Sequence, residues 1–262
     1  MTYIPKIIHY CWFGKNPMPD LVKNCIKSWK KYCPDYEIVE WNENNFDVHS
    51  NRFVEEAYQA KKWAFVADYV RLYAIYNVGG IYLDSDVELL RPLDCFLSNK
   101  AFSGFETKDS PAAVVLGCRK GHSLIREFME YYENRPFIQQ DGSYDMKPNT
   151  RIFTELMIQH GLRLNGKKQT VAECTFYPEI VFSPNNFRRI FCCYSARSYS
   201  VHHILGSWGM APTYKRKFHK RVLMYCVRVV RDVIGTPTTG KLLKLMKSHI
   251  NTAGKSKNCR ID

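Results

Sequence analysis

One eight-residue run, Gly79-Gly80-Ile81-Tyr82-Leu83-Asp84-Ser85-Asp86, constrains this chain more than any other. Two glycines stop whatever precedes them, three apolar residues then favour a strand, and two carboxylates one residue apart end it. A strand that ends this way delivers its carboxylates to the C-terminal edge of a sheet, where open α/β sheets bind ligands. Upstream, apolar residues recur at Phe65, Val66, Tyr69, Val70, Leu72, Tyr73 and Tyr76, which predicts a helix over about 62–76. Asp68 and Arg71 lie three apart in it, hence on one face. Asp-x-Asp alone is also the pattern of a solvated acidic turn, and Asp68 with Arg71 also reads as a plain intrahelical ion pair. The weight comes from finding both on consecutive elements. Hard dications such as Mn²⁺ and Mg²⁺ take oxygen ligands and commonly use one or two carboxylates together with substrate phosphates. A guanidinium and a carboxylate beside them suit a phosphate or a sugar.

The rest of the chain fits an α/β domain. Ile4–Trp12 reads as a first strand; Pro17 and Pro19 lead into a helix with Asp20 as N-cap and Leu21, Cys25, Ile26 and Trp29 on one face, stopped by Pro34. Tyr36–Trp41 reads as a second strand, and this strand–helix–strand opening predicts a parallel sheet. Strands near Ala101–Phe105 and Ala113–Leu116 follow, then helices over Ser123–Tyr132 and Arg151–His160. Residues 174–212 read as short strands and aromatic loops. Trp12 is open to two readings, core packing or a platform for a flat ring. His202 and His203 would point to opposite sides of a strand, so at most one reaches a given metal.

Composition matters at two points. With 45% hydrophobic and 14% aromatic residues the chain buries a full core, which excludes a disordered polymer. Its net charge of +13 is unevenly placed: residues 213–262 carry 13 Lys+Arg against 2 Asp+Glu, leaving residues 1–212 with 25 against 23. We therefore expect a catalytic domain over 1–212 and a basic helical tail over 213–262. In the tail, Lys241, Lys244 and Lys247 alternate with Leu242, Leu245 and Met246, the pattern of a basic amphipathic helix on an anionic membrane surface. A helical pair packed on the domain is the alternative. No nucleic-acid recognition motif accompanies the charge. The ten cysteines include no C-x-x-C, no secretory leader is evident, and no stretch of about 18 apolar residues occurs, so a cytoplasmic protein with reduced thiols is expected.

The run from Lys62 to Leu72, with Ala67-Asp68-Tyr69-Val70-Arg71 at its centre, followed by Gly79 to Asp86, resembles the signature of glycosyltransferase family 32. That family holds bacterial capsule and lipopolysaccharide transferases, fungal mannosyltransferases and glucosylating clostridial toxins. Ile4-Pro5-Lys6-Ile7-Ile8-His9-Tyr10-Cys11-Trp12-Phe13-Gly14 is similar to its first strand, and Val201-His202-His203-Ile204-Leu205-Gly206-Ser207-Trp208 to its C-terminal segment. The resemblance implies a GT-A-like, Rossmann-type mixed sheet flanked by helices, and a retaining transfer of a hexose from a nucleotide sugar. UDP-galactose and UDP-glucose are the first donors to consider, with a surface polysaccharide or lipid-linked glycan as acceptor. It implies Mn²⁺ (or Mg²⁺) held by Asp84, Asp86 and His203, with Asp86 the direct ligand and Asp84 reaching the donor ribose or the metal through water. Trp12 would stack on the donor base, Asp68, Arg71 and Tyr82 would hold the donor, and Ser207 and Trp208 would close over the diphosphate. Acceptor recognition is expected from residues 104–150, with Phe105-Glu106, Asp141-Gly142 and Lys147-Pro148-Asn149 as candidates. A nucleotide-sugar hydrolase or a protein-modifying transferase is the alternative among enzymes. A basic membrane- or nucleic-acid-binding protein with an incidental acidic pair is the alternative outside them.

Overall fold

The computed structural model describes residues 3–133, 135–184 and 195–203, together with positions 233, 235, 238 and 241. Ser207, Trp208 and nearly all of the basic tail lie outside the described residues. Among the described residues, a seven-stranded sheet runs in the order β2-β1-β3-β6-β5-β8-β7. Its strands are β1 (Ile7–Cys11), β2 (Glu37–Trp41), β3 (Gly80–Leu83), β5 (Ala101–Thr107), β6 (Ser110–Cys118), β7 (Gln169–Val171) and β8 (Cys174–Tyr177). Two short strands, β4 (Val87–Leu89) and β9 (Ser200–His202), pair separately and antiparallel.

The sheet is mixed. β1 runs parallel to both β2 and β3, as the strand–helix–strand opening predicts. At β6 the parallel expectation breaks: β3 pairs antiparallel with β6, and β6 with β5, before β5 and β8 pair parallel again. Thr107 pairs with Ser110, so a tight turn joins β5 to β6, and a short connection of that kind imposes antiparallel pairing. Alternation along the strands then splits the core in two. Ile8, Ile81, Leu83 and Val115 pack on one face around Trp29, while Tyr82, Leu116 and Cys118 face the other cluster around Phe65, Val66 and Phe128.

Six helices flank the sheet among the described residues: α1 (Asp20–Tyr32), α2 (Arg52–Gln59), α3 (Trp63–Asn77), α4 (Ser123–Glu130), α5 (Asn149–Gln159) and the short α6 (Glu179–Phe182). Pro19 rather than Asp20 occupies the N-cap of α1, without a side-chain cap; Asp20 instead begins the first turn, where its charge complements the helix dipole. Two side chains of α1 reach β4. Trp29 Nε1 donates to Val87 O at 2.7 Å, and Leu89 N donates to Ser28 Oγ at 2.9 Å. β4 is thereby held by α1 as well as by β9.

α3 is buried on nearly all sides, Phe65, Val66, Asp68 through Leu72, Ala74 and Ile75 being withdrawn from solvent. Two glycines end it, both at positive φ, +77° at Gly79 and +111° at Gly80. A Cβ at Gly80 would stand 2.7 Å from Ile7 O, so only glycine lets the chain reverse here against β1. His9, fully buried beneath this turn, meets Gly79 O through Nε2 at 2.8 Å and accepts Trp41 Nε1–H at Nδ1 over 3.1 Å. The reversal sends β3 back along α3 and brings Asp68 and Arg71 beside the strand's exit.

Candidate sugar-nucleotide and cation site

Arg71 sits at the centre of the site. Its Nη2 lies 2.9 Å from Asp68 Oδ1 and its Nη1 lies 3.1 Å from Asp84 Oδ1. Its guanidinium also covers the Tyr82 ring, 4.7 Å from the centroid. One cation thus ties α3 to the end of β3. Asp68 is wholly buried, and among the described residues neither of its carboxylate oxygens has a partner of hydrogen-bond geometry. Its 2.9 Å approach to Arg71 is therefore an ion pair rather than an aligned hydrogen bond. Burial pushes the Asp68 carboxyl well above the usual carboxylate range; Arg71 opposes the shift and the charge of Asp84 adds to it.

Asp84, Ser85 and Asp86 make the turn between β3 and β4. Asp84 N donates to Val114 O, Val87 N donates to Asp84 O, and His203 N donates to Asp86 O. These backbone bonds fix both carboxylates at the strand end. Burial raises the Asp84 carboxyl, with Arg71 and His202 opposing and Asp86 reinforcing the shift. Asp84, Asp86 and His202 each offer an atom to a group lying within 4.8 Å of one another.

The histidine in this group is His202, and the expectation placed on His203 is not met by the geometry. Successive residues of a strand face opposite sides. His203 turns toward Glu88, to which its Nε2 comes within 2.9 Å, while His202 turns inward, with Nε2 3.4 Å from Asp86 Oδ1 and Nδ1 3.1 Å from Glu106 Oε1. Burial works against a charged ring at His202, yet Asp86 and Glu106 outweigh it and hold its pKa well above the ordinary histidine value. The opposite-face argument from sequence allows one histidine and leaves open which. The spacing to Trp208 favours His203, and no sequence signal identifies the pairing of β4 with β9 that brings His202 inward.

Trp12 follows β1 half-buried, its backbone N–H bonded to Trp41 O and its indole N–H to Asn16 O at 2.8 Å. Phe105, named as an acceptor candidate, is a core residue at 1% exposure. Asn149 is buried at the start of α5 and donates to Tyr132 Oη at 3.1 Å, whereas Asp141 is exposed and caps Ser143.

Four carboxylates, from Asp68, Asp84, Asp86 and Glu106, converge on one guanidinium and one imidazole. Of this group, Asp84, Asp86 and His202 fit a hard or borderline dication by donor type and by the convergence of their three ligand atoms. Residues 19–103 match the family model described as the glycosyltransferase sugar-binding region containing a DXD motif. The segment is thus similar to a DXD-type glycosyltransferase sugar-binding region. Asp84-Ser85-Asp86, Asp68 and Arg71 all fall within it.

Similarity extends to two curated proteins of Schizosaccharomyces pombe. Inositol phosphoceramide mannosyltransferase 3 is 34% identical over 133 residues, 47% of this chain and 35% of that protein. Inositol phosphoceramide mannosyltransferase 1 is 26% identical over 166 residues, 59% of this chain and 47% of that protein. The chain thus spans less than half the length of either relative. Among solved structures, PaToxG glycosyltransferase superposes over 60% of this chain and 70% of its own at 16% identity, with a TM-score of 0.45.

Proposed function

We propose that this chain moves a hexose from a nucleotide-sugar donor to a glycan or lipid-linked glycan acceptor, using a divalent cation held by Asp84, Asp86 and His202. The observation that carries the reading is Arg71, which bridges a buried carboxylate on α3 and the DXD turn within the matched sugar-binding region. Asp68, whose oxygens have no hydrogen-bond partner among the described residues, is suited to accept from sugar hydroxyls; Arg71 is suited to orient the donor, with Tyr82 stacked beneath it. Trp12 offers its ring to the base, and the family resemblance assigns Ser207 and Trp208, outside the described residues, to the diphosphate. When bound, the cation supplies positive charge for the departing nucleotide diphosphate. Transfer proceeds with retention on a GT-A-type fold, by front-side attack of the acceptor. No carboxylate is assigned as a nucleophile, so the chain's own residues contribute position and charge rather than a strong base.

UDP-galactose and UDP-glucose remain donors to test. A mannose donor joins them because the curated relatives are named mannosyltransferases. The acceptor is a growing capsular or lipopolysaccharide-type glycan at the cytoplasmic face of the membrane, approached through the basic residues 213–262.

Thermal-shift measurements with a panel of nucleotide sugars, with and without Mn²⁺, test the reading. The cognate donor plus metal at roughly 100 times its Kd stabilises the wild type by about 2.7 kcal/mol, and Asp86→Ala abolishes the metal-dependent part. A wild type that responds to no nucleotide sugar, or an Asp86→Ala variant that responds equally, rejects the assignment. Product analysis with water and with glycan acceptors separates transfer from hydrolysis.

A further inference from the structure

We propose that Glu106 is a positioning residue of the cation site and acts through His202. The proposal rests on the reading of Asp84, Asp86 and His202 as cation ligands. Glu106 lies on β5, apart from the β3–β4 turn and from β9 that carry the three ligands, and it is not a member of their 4.8 Å group.

Two observations place it. The first is the contact itself: Glu106 Oε1 stands 3.1 Å from His202 Nδ1, between side chains only 13% and 11% exposed. A carboxylate accepts hydrogen bonds and, when ionised, donates none. It therefore keeps the Nδ1 proton in place and leaves Nε2, which faces Asp86, as the ring atom able to give a lone pair to a cation. Carboxylate partners of this kind orient a ligand histidine and raise its basicity.

The second observation is backbone. Phe105 pairs with Pro111 and Thr107 pairs with Ser110, so the ladder advances two residues on β5 for one on β6. Glu106 is the extra residue, and a bulge of this kind re-aims a side chain. Its neighbour Phe105 is buried in the core. In a regular ladder Glu106 would follow strict alternation; the bulge is where the strand departs from it, and the carboxylate there meets His202.

The test measures Mn²⁺ affinity of the full chain by titration, following the free-ion electron paramagnetic resonance signal. Glu106→Ala, and Glu106→Leu to preserve volume, weaken Mn²⁺ binding about 10–100-fold. Glu106→Gln, whose amide oxygen still accepts from Nδ1–H, stays within roughly threefold of wild type. In a His202→Ala background, Glu106→Ala adds less than about twofold, because its route is already gone. Circular dichroism of the metal-free variants confirms that each folds. Undiminished binding by both Glu106→Ala and Glu106→Leu overturns the proposal, as does an equal loss in the His202→Ala background, which would make Glu106 an independent ligand. Failure of the underlying reading looks different: wild type without Mn²⁺ binding, or Asp86→Ala binding as tightly as wild type. Binding that depends on Asp86 and not on Glu106 sinks the positioning role alone.

Discussion

Arg71 answers two carboxylates at once, at 2.9 Å and 3.1 Å, from inside an otherwise apolar helix. A buried pair of this kind costs desolvation that its attraction repays only in part, so stability alone gives weak reason to keep it. His9, one strand away, is the opposite solution: a buried titratable group kept neutral. Its Nδ1 accepts from the Trp41 indole N–H, which assigns the ring proton to Nε2, and that atom donates to Gly79 O. Adding a proton at Nδ1 would set two N–H groups against each other. Burial lowers the His9 pKa below its ordinary 6.5, with Gly79 O opposing. The folded state thus resists a proton that the unfolded chain takes up, so the stability contributed by neutral His9 is complete above pH 6.5 and is lost as pH falls through it. His9→Gln keeps a donor and an acceptor but does not titrate. Its stability relative to wild type, from urea unfolding, should therefore improve by up to about 1.4 kcal/mol between pH 7.5 and 5.5. A constant difference across that range would show that the ring titrates normally in the folded protein.

At the scale of elements, the α3–β3 reversal sets the site, because it turns the buried helix back against the strand that ends in Asp84. Gly80 is its tightest point, with φ of +111° and Ile7 O only 2.7 Å from where an added methyl would stand. Gly121 also has positive φ, +73°, but nothing lies within 4 Å of its Cβ direction. Gly121→Ala should cost about 1 kcal/mol, the backbone term alone, while Gly80→Ala adds displacement of β1 or β3 and should exceed about 2 kcal/mol. Equal losses in urea unfolding would mean that β1 yields without strain. The same reversal is legible from sequence, since Val78-Gly79-Gly80 interrupts a helical period and Ile81-Tyr82-Leu83 restarts as strand. Asp68, Arg71, Asp84 and Asp86 come with it because their spacing is local. What sequence leaves dark is non-local. β4 is three residues long and exists through pairing with β9, Leu89 opposite Ser200, and through Trp29 and Ser28 of α1. α2 is a single short amphipathic helix whose cap, Asn51 accepting from Val54 N, is its one strong local mark. The choice of His202 over His203 and the aim of Glu106 depend on that distant register and on a bulge, neither of which leaves a period in the chain.

Over the whole molecule, charge is divided along the sequence. Residues 1–212 are nearly balanced, with 25 Lys+Arg against 23 Asp+Glu, while 213–262 hold 13 against 2. A nearly neutral domain gains little long-range attraction to an anionic surface, whereas a segment of this density gains about 1 kcal/mol for each cation near the headgroups. Among the described residues no helix is long and apolar enough to cross a membrane. Under the proposed function, an electrostatic tether would keep residues 1–212 near a lipid-linked acceptor without inserting them. Lys241, Lys244 and Lys247 recur every three residues opposite Leu242, Leu245 and Met246, so they lie on the face such a helix would turn toward headgroups. Replacing all three by glutamine in the full chain removes about 3 kcal/mol of attraction, which corresponds to roughly 100-fold weaker binding to phosphatidylserine-containing vesicles in sedimentation. Wild-type binding should itself fall steeply with added salt, since screening shortens the reach of exposed charges. Donor-induced thermal shifts should be unchanged in the triple variant, because the tail carries no proposed ligand of donor or metal. Vesicle binding that survives the substitutions, or that ignores salt, would assign the basic segment to packing on the domain instead.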